Sequence, residues 1–291
     1  MMATAQNQAD TVREILEAGA EVDVRGEKGL TALMLACMLG NTDIAAYLTR
    51  RGANIEASDD LGNRPLMLAT AHGKVGAMKL LMKAGAQLDA RNQQGMSALM
   101  LATVEGQAAA VRMILEKGGA ALDAKDRRGN QALALAAHKG DPDLARLLLL
   151  AGASTEATND EGMTALMVAA TVVHSDELAG MGHFAVVRLL LKARANIEAE
   201  DKKGATAVMI AAAAGSARLV KLLAEHGARV DAVDRTGMTA MELALRAAHE
   251  DCAAVLRDAL DGKLLPFVEL AAGPEEARAA PGPGRAIKEE L

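Results

Sequence analysis

Six histidines, two cysteines and a recurring set of carboxylates are the residues of this 291-residue chain that could carry metal, nucleophilic or acid–base chemistry. The histidines stand at 72, 138, 174, 183, 226 and 249, with no cysteine or carboxylate beside them at the spacing of a three- or four-ligand zinc site. His174 and His183 come nearest to a pair, and without a third ligand both read as solvated loop residues. There is no Gly-x-x-x-x-Gly-Lys-Ser/Thr phosphate loop and no nucleophile elbow. The reading is therefore a non-enzyme with no catalytic residue, no metal and no cofactor.

The carboxylates are arranged by period instead of by site. Asp23, Glu56, Asp89, Asp123, Glu156, Glu198 and Asp231 are separated by 33, 33, 34, 33, 42 and 33 residues. Such a row is an acidic edge, open to two readings: a solvated ridge or a contact for a basic partner. Its members would lie about one repeat apart, near the ~8–10 Å Debye length, so their repulsion is tolerable. Glycines at 29, 62, 95, 129, 162, 204 and 237 keep the same spacing. A period of this size means stacked repeats, each covering the apolar face of the next.

Each repeat is built to position that edge in the same way. In the first, Gly29 makes a turn, Thr31 caps a short helix to Leu39, Gly40 breaks it, and a second helix runs to Arg51. Thr31, Ser97, Thr164, Thr206 and Thr239 are the expected caps, with Arg64 and Gln131 as weaker substitutes. Leu33, Leu66, Leu99, Leu133, Leu166, Val208 and Met241 share one buried position, followed by small alanines that permit close helix approach. Second helices carry stripes such as Ile44-Tyr47-Leu48 and Leu144-Leu147-Leu148. Cys37 and Cys252 are six repeats apart, too far for a disulfide, and read as buried thiols in a reducing compartment.

The 33-residue period, the Gly-x-Thr-x-Leu start, the Ala-Ala pair and the Gly-Ala ending resemble the ankyrin repeat over residues 1 to about 260. The family's Thr-Pro-Leu-His is mostly Thr-Ala-Leu-Met here, and proline survives at Pro65 alone. Met34, Met67, Met100, Met167 and Met209 stand where the family has histidine; they read as core filling, and the family's polar ladder is in doubt. The resemblance implies an all-α ankyrin-repeat α-solenoid with β-hairpin fingers, a partial N-terminal repeat plus seven repeats. It also implies a module that binds another protein along its concave helix face and fingertips.

Carried over position by position, the contact residues would be Met38, Leu39, Leu61, His72, Met96, Val104, Arg127, Arg128, His138, Lys139, Asp160, Glu161, Lys202, Lys203 and Arg235. The expected partner has an acidic segment resting on Arg127, Arg128, His138, Lys139, Lys202 and Lys203. Met38, Leu39, Met96 and Val104 would supply apolar contact. A subunit that covers an enzyme's active site is the alternative. A net charge of −6 argues against nucleic acid as the main ligand.

The expected boundaries are a partial capping repeat over 1–24, six repeats over 25–232, a C-terminal capping repeat over 233–261, and a docking segment with a disordered Gly/Pro-rich tail over 262–291. The 42-residue interval places a nine-residue insert near 173–181, read as a loop between two helices, either tolerated growth or a binding loop. With no apolar signal region or membrane span in the sequence, the expectation is a monomeric cytoplasmic protein, secretion by another route left open.

Overall fold

A hydroxyl side chain fixes where most first helices begin, because the first turn of a helix has amides that the helix cannot satisfy. Thr31 and Ser97 accept from the backbone N–H of Met34 and Met100 at 3.3 Å, Thr164 from that of Met167 at 3.4 Å, and Thr239 from that of Glu242 at 3.3 Å. Thr206 makes no such bond, and its buried Oγ1 has no partner. Left-handed glycines at 40, 106 and 140 end the helices that they follow.

In the computed structural model, which describes residues 1–171 and 177–264, the contacts cluster into two compact units, Met1–Arg128 and Gly129–Leu291. The first unit opens with the short helices α1 (Met2–Ala5) and α2 (Ala9–Glu17). Three helix pairs follow: α3 (Ala32–Leu39) with α4 (Thr42–Arg50), α5 (Pro65–Ala71) with α6 (Val75–Lys83), and α7 (Ala98–Glu105) with α8 (Ala108–Lys117). The second unit holds four pairs: α9 (Ala132–Lys139) with α10 (Pro142–Leu150), α11 (Ala165–Ala170) with α12 (Glu177–Lys192), α13 (Ala207–Ala213) with α14 (Ala217–Glu225), and α15 (Ala240–Arg246) with α16 (Glu250–Leu260). Within each unit, first helices pack on neighbouring first helices and second on second, which is solenoid stacking.

The core of each unit is thin. Leu33, Leu66, Leu99, Leu133, Leu166 and Val208 are buried, and the alanines three residues on, from Ala36 to Ala211, are fully closed off by the neighbouring helix. Second helices add Ile44, Leu48, Leu81, Ile114, Leu144, Leu148, Leu190 and Leu223. Met241 escapes the pattern: it is half-buried, and Leu245 beside it is exposed, on the terminal pair. The methionine line is buried as expected, and it is not purely apolar. The thioethers of Met34 and Met100 accept the N–H of Thr31 and Ser97 at 3.4 Å, taking the place of the glutamate in a capping box.

Two expectations change. Among the described residues there is no β-strand, only an isolated antiparallel bridge between Val233 and Thr239, so the fingers are tight turns and not ladders of paired strands. The insert is helix over much of its length. α12 has sixteen residues where the other second helices have nine to eleven, because residues 177–183 extend it at its N-terminal end. Residues 172–176, including His174, and the expected docking segment and tail beyond 264 lie outside the described residues.

Truncating one fully buried second-helix residue, Leu81→Ala, is expected to destabilise the first unit by about 2–5 kcal/mol. Amide exchange should rise most in α5 to α8, since each repeat is supported by its nearest neighbours. A uniform rise across both units would contradict solenoid energetics.

Candidate functional site

Five of the fingers are set by one acidic or amide side chain each. Asp59 Oδ1 accepts the N–H groups of Leu61 (2.9 Å) and Asn63 (2.7 Å), and Asn92, Asn159, Asp201 and Asp234 repeat this with the residues two and four places on. This Asx geometry uses amides that a hairpin would have paired across strands, which is why turns replace strands. The glycine at each tip has φ between 72° and 82°. A side chain at Gly162 would also meet the Lys202 amide at 2.9 Å, so the next finger can come close only over glycine.

Within each unit, backbone bonds then tie one finger to the next. In the first unit Asp60 donates to the Lys28 carbonyl (3.0 Å), Gln93 to Leu61 (2.9 Å) and Arg127 to Gln94 (3.0 Å). In the second, Lys202 donates to Glu161 (3.0 Å) and Arg235 to Lys203 (2.9 Å).

The acidic edge belongs to the same frame. Asp23 accepts the backbone N–H of Asn54 (3.0 Å), Glu56 that of Gln87 (2.9 Å) and Asp89 that of Ala121 (2.8 Å). In the second unit Glu156 accepts that of Asn196 (2.9 Å) and Glu198 that of Arg229 (2.7 Å). Each carboxylate clamps the following repeat, a charge-assisted bond stronger than a neutral one. Arg64 pairs with Glu56, and Arg229 with Glu198 at 3.5 Å. These five positions thus have a structural role in holding neighbouring repeats together.

The expected contact residues fall mostly on the surface. Leu39, Leu61, His72, Val104, Arg127 and Arg128 of the first unit are exposed, and Met38 is half-buried. Met96 is buried at 8 % exposure, its N–H and carbonyl both engaged by Asn92, and so offers almost no contact area. In the second unit His138, Lys139, Asp160, Glu161, Lys202, Lys203 and Arg235 are exposed. Four of these come together: Asp160, Glu161, Lys202 and Lys203 line one cleft of about 490 Å³ with Met163 and Ile210. His183 is corrected outright: it is buried in α12, its Nε2 is 2.9 Å from the His138 carbonyl, and it packs over Gly140. Its place is the one that Lys74, Gln107 and His249 hold against Gly40, Gly73 and Gly215.

Among the described residues, no three His, Cys, Asp or Glu side chains gather as metal ligands. Burial pushes the Cys37 thiol up to about 12 and, with help from Asp251, the Cys252 thiol up to about 11, which leaves neither as a nucleophile near neutral pH. At the last finger, bonds from Thr236 and Met238 hold the Asp234 carboxyl below its ordinary range, and bonds from Thr239 do the same for Glu242. A depressed carboxyl stabilises the fold above its unfolded value and loses that contribution as pH falls through its folded value.

A family model described as ankyrin repeats in three copies matches residues 1–92, 52–126, 76–159 and 177–263. No curated protein matches the chain. No helix among the described residues is long and apolar enough to cross a membrane.

Two measurements check this geometry. Replacing Glu198 by alanine should cost about 1–3 kcal/mol, in the range for a bond to a charged group, and should speed exchange of the Arg229 amide above all others. Acidification below about pH 4 should lower the protection of the Met238 and Thr239 amides; protection that stayed constant down to pH 2 would contradict the carboxylate bonds.

Proposed function

Because the chain belongs to the ankyrin-repeat family, we propose that it is a non-catalytic protein-binding module that holds a partner along its fingertips and the adjoining ends of its first helices. Ankyrin repeats are generally protein–protein interaction modules, and the fingers carry the rest of the reading. Their backbone is held by Asx and inter-repeat bonds, while Asp160, Glu161, Lys202 and Lys203 at the tips have no ion-pair partner among the described residues. Charged groups held out on a preformed frame bind with little ordering cost.

In the first unit the contacting side chains are Leu39, Leu61, His72, Val104, Arg127 and Arg128, with Met38 contributing its exposed part. In the second they are His138, Lys139, Asp160, Glu161, Lys202, Lys203 and Arg235. Arginines and lysines outnumber carboxylates on these tips, which favours a partner with an acidic segment. The protein acts as a monomer in the reducing cytoplasm, where Cys37 and Cys252 remain thiols.

Capture of partners with the full chain, followed by mass spectrometry, tests the module. Reversing Arg127→Glu with Arg128→Glu should weaken the captured complex and flatten its salt dependence. Unchanged affinity and salt dependence would remove these two residues from the interface. Capture of one enzyme whose rate falls on adding the protein would convert the reading to an inhibitory subunit.

A further inference from the structure

Adjacent fingertips in the second unit carry opposite charge without neutralising each other. Lys202 donates its N–H to the Glu161 carbonyl at 3.0 Å, which holds the two tips side by side. The acidic finger presents Asp160 and Glu161, the basic finger Lys202 and Lys203, and all four side chains are exposed. They line a cleft of about 490 Å³, to which the half-buried Ile210 adds apolar surface, while Met163, as buried as Met96, sits beneath it. Asp201, between the fingers in sequence, also lines the cleft and holds the amides of Lys203 and Ala205 with its Oδ1.

We propose that this cleft takes an extended segment of a partner protein in which an apolar side chain is flanked on one side by Asp or Glu and on the other by Lys or Arg. The inference rests on the protein-binding reading above and narrows it, since a wholly acidic segment is the wrong ligand here. Such a segment satisfies Lys202 and Lys203 but sets its second carboxylate against Asp160 and Glu161, and juxtaposed like charges are costly. A wholly basic segment fails in the mirror sense. An uncharged apolar segment fills the cleft and leaves both sets of charges partly desolvated and unpaired.

The spacing follows from chain geometry. Alternate residues of an extended segment point to one side at ~3.3 Å rise per residue, and helix layers lie roughly 8–10 Å apart. The pattern acidic-x-apolar-x-basic therefore puts the apolar group over Ile210 while its charged neighbours reach the two fingers. Pairing charges in this way selects among partners more than it adds affinity.

Titrating the ¹⁵N-labelled full chain with three end-capped peptides tests the proposal: Gly-Asp-Gly-Leu-Gly-Lys-Gly, the same with Asp at both charged places, and the same with Lys at both. The mixed peptide should move the amide signals of Glu161, Met163, Lys202 and Lys203, and bind about fivefold tighter than either like-charged peptide, the upper range for one exposed ion pair. Lys202→Glu with Lys203→Glu should transfer the preference to the all-lysine peptide, and Asp160→Lys with Glu161→Lys to the all-aspartate one. Tightest binding of the all-aspartate peptide to the unmodified chain, or no response of these amides to any peptide, overturns the mixed-charge inference. Neither result touches the protein-binding reading, which falls only if the full chain captures no partner.

Discussion

Within each unit, repeats are held to their neighbours by hydrogen bonds that run from one to the following one, and most of what the chain can do depends on them. Asp23, Glu56, Asp89, Glu156 and Glu198 reach forward to a backbone amide of the next repeat. Above them, finger amides such as those of Gln93 and Lys202 bond to the carbonyls of the preceding finger. Each bond contributes on the order of 1 kcal/mol, more where the acceptor is charged, and their repetition fixes neighbouring repeats in register as well as in contact. The consequence is a surface with a hydrogen-bonded backbone that carries exposed side chains.

Apolar packing supplies the rest with small residues. Only three residues of the chain are aromatic, Tyr47, Phe184 and Phe267. Closed-off alanines on the first helices let adjacent layers approach, and leucines and isoleucines on the second helices fill the space behind. The buried methionines serve both ends: they pack like aliphatic groups, and at Met34 and Met100 the sulfur also receives a capping amide. A polar connection is thus retained at these two positions within one helix start.

The period, the hydroxyl caps and the Leu/Ala register were legible because each is a local pattern with a local cause. The clamps were not, although their residues were easy to find. Spacing shows that Glu56 and Glu198 recur, but the amides they bond lie 31 residues further on, and only the fold brings those together. Asp59 and its counterparts could have been read as Asx residues from the residue type two places before each turn. His183 was misread because the helix that buries it grows out of the insert, where length alone suggested a loop. Arg127, Lys202 and Glu161 were legible as exposed tip residues, whereas the joining of Glu161 and Lys202 across one cleft required the structure.

Amide exchange of the full chain, alone and with a captured partner, tests most directly whether free side chains on a preformed frame are the binding element. The account predicts that helix amides in both units exchange slowly in either state and that new protection appears at fingertip positions such as 160–161 and 202–203. Slow exchange acquired by the helices only when the partner binds would mean that the frame forms on binding, and would contradict it.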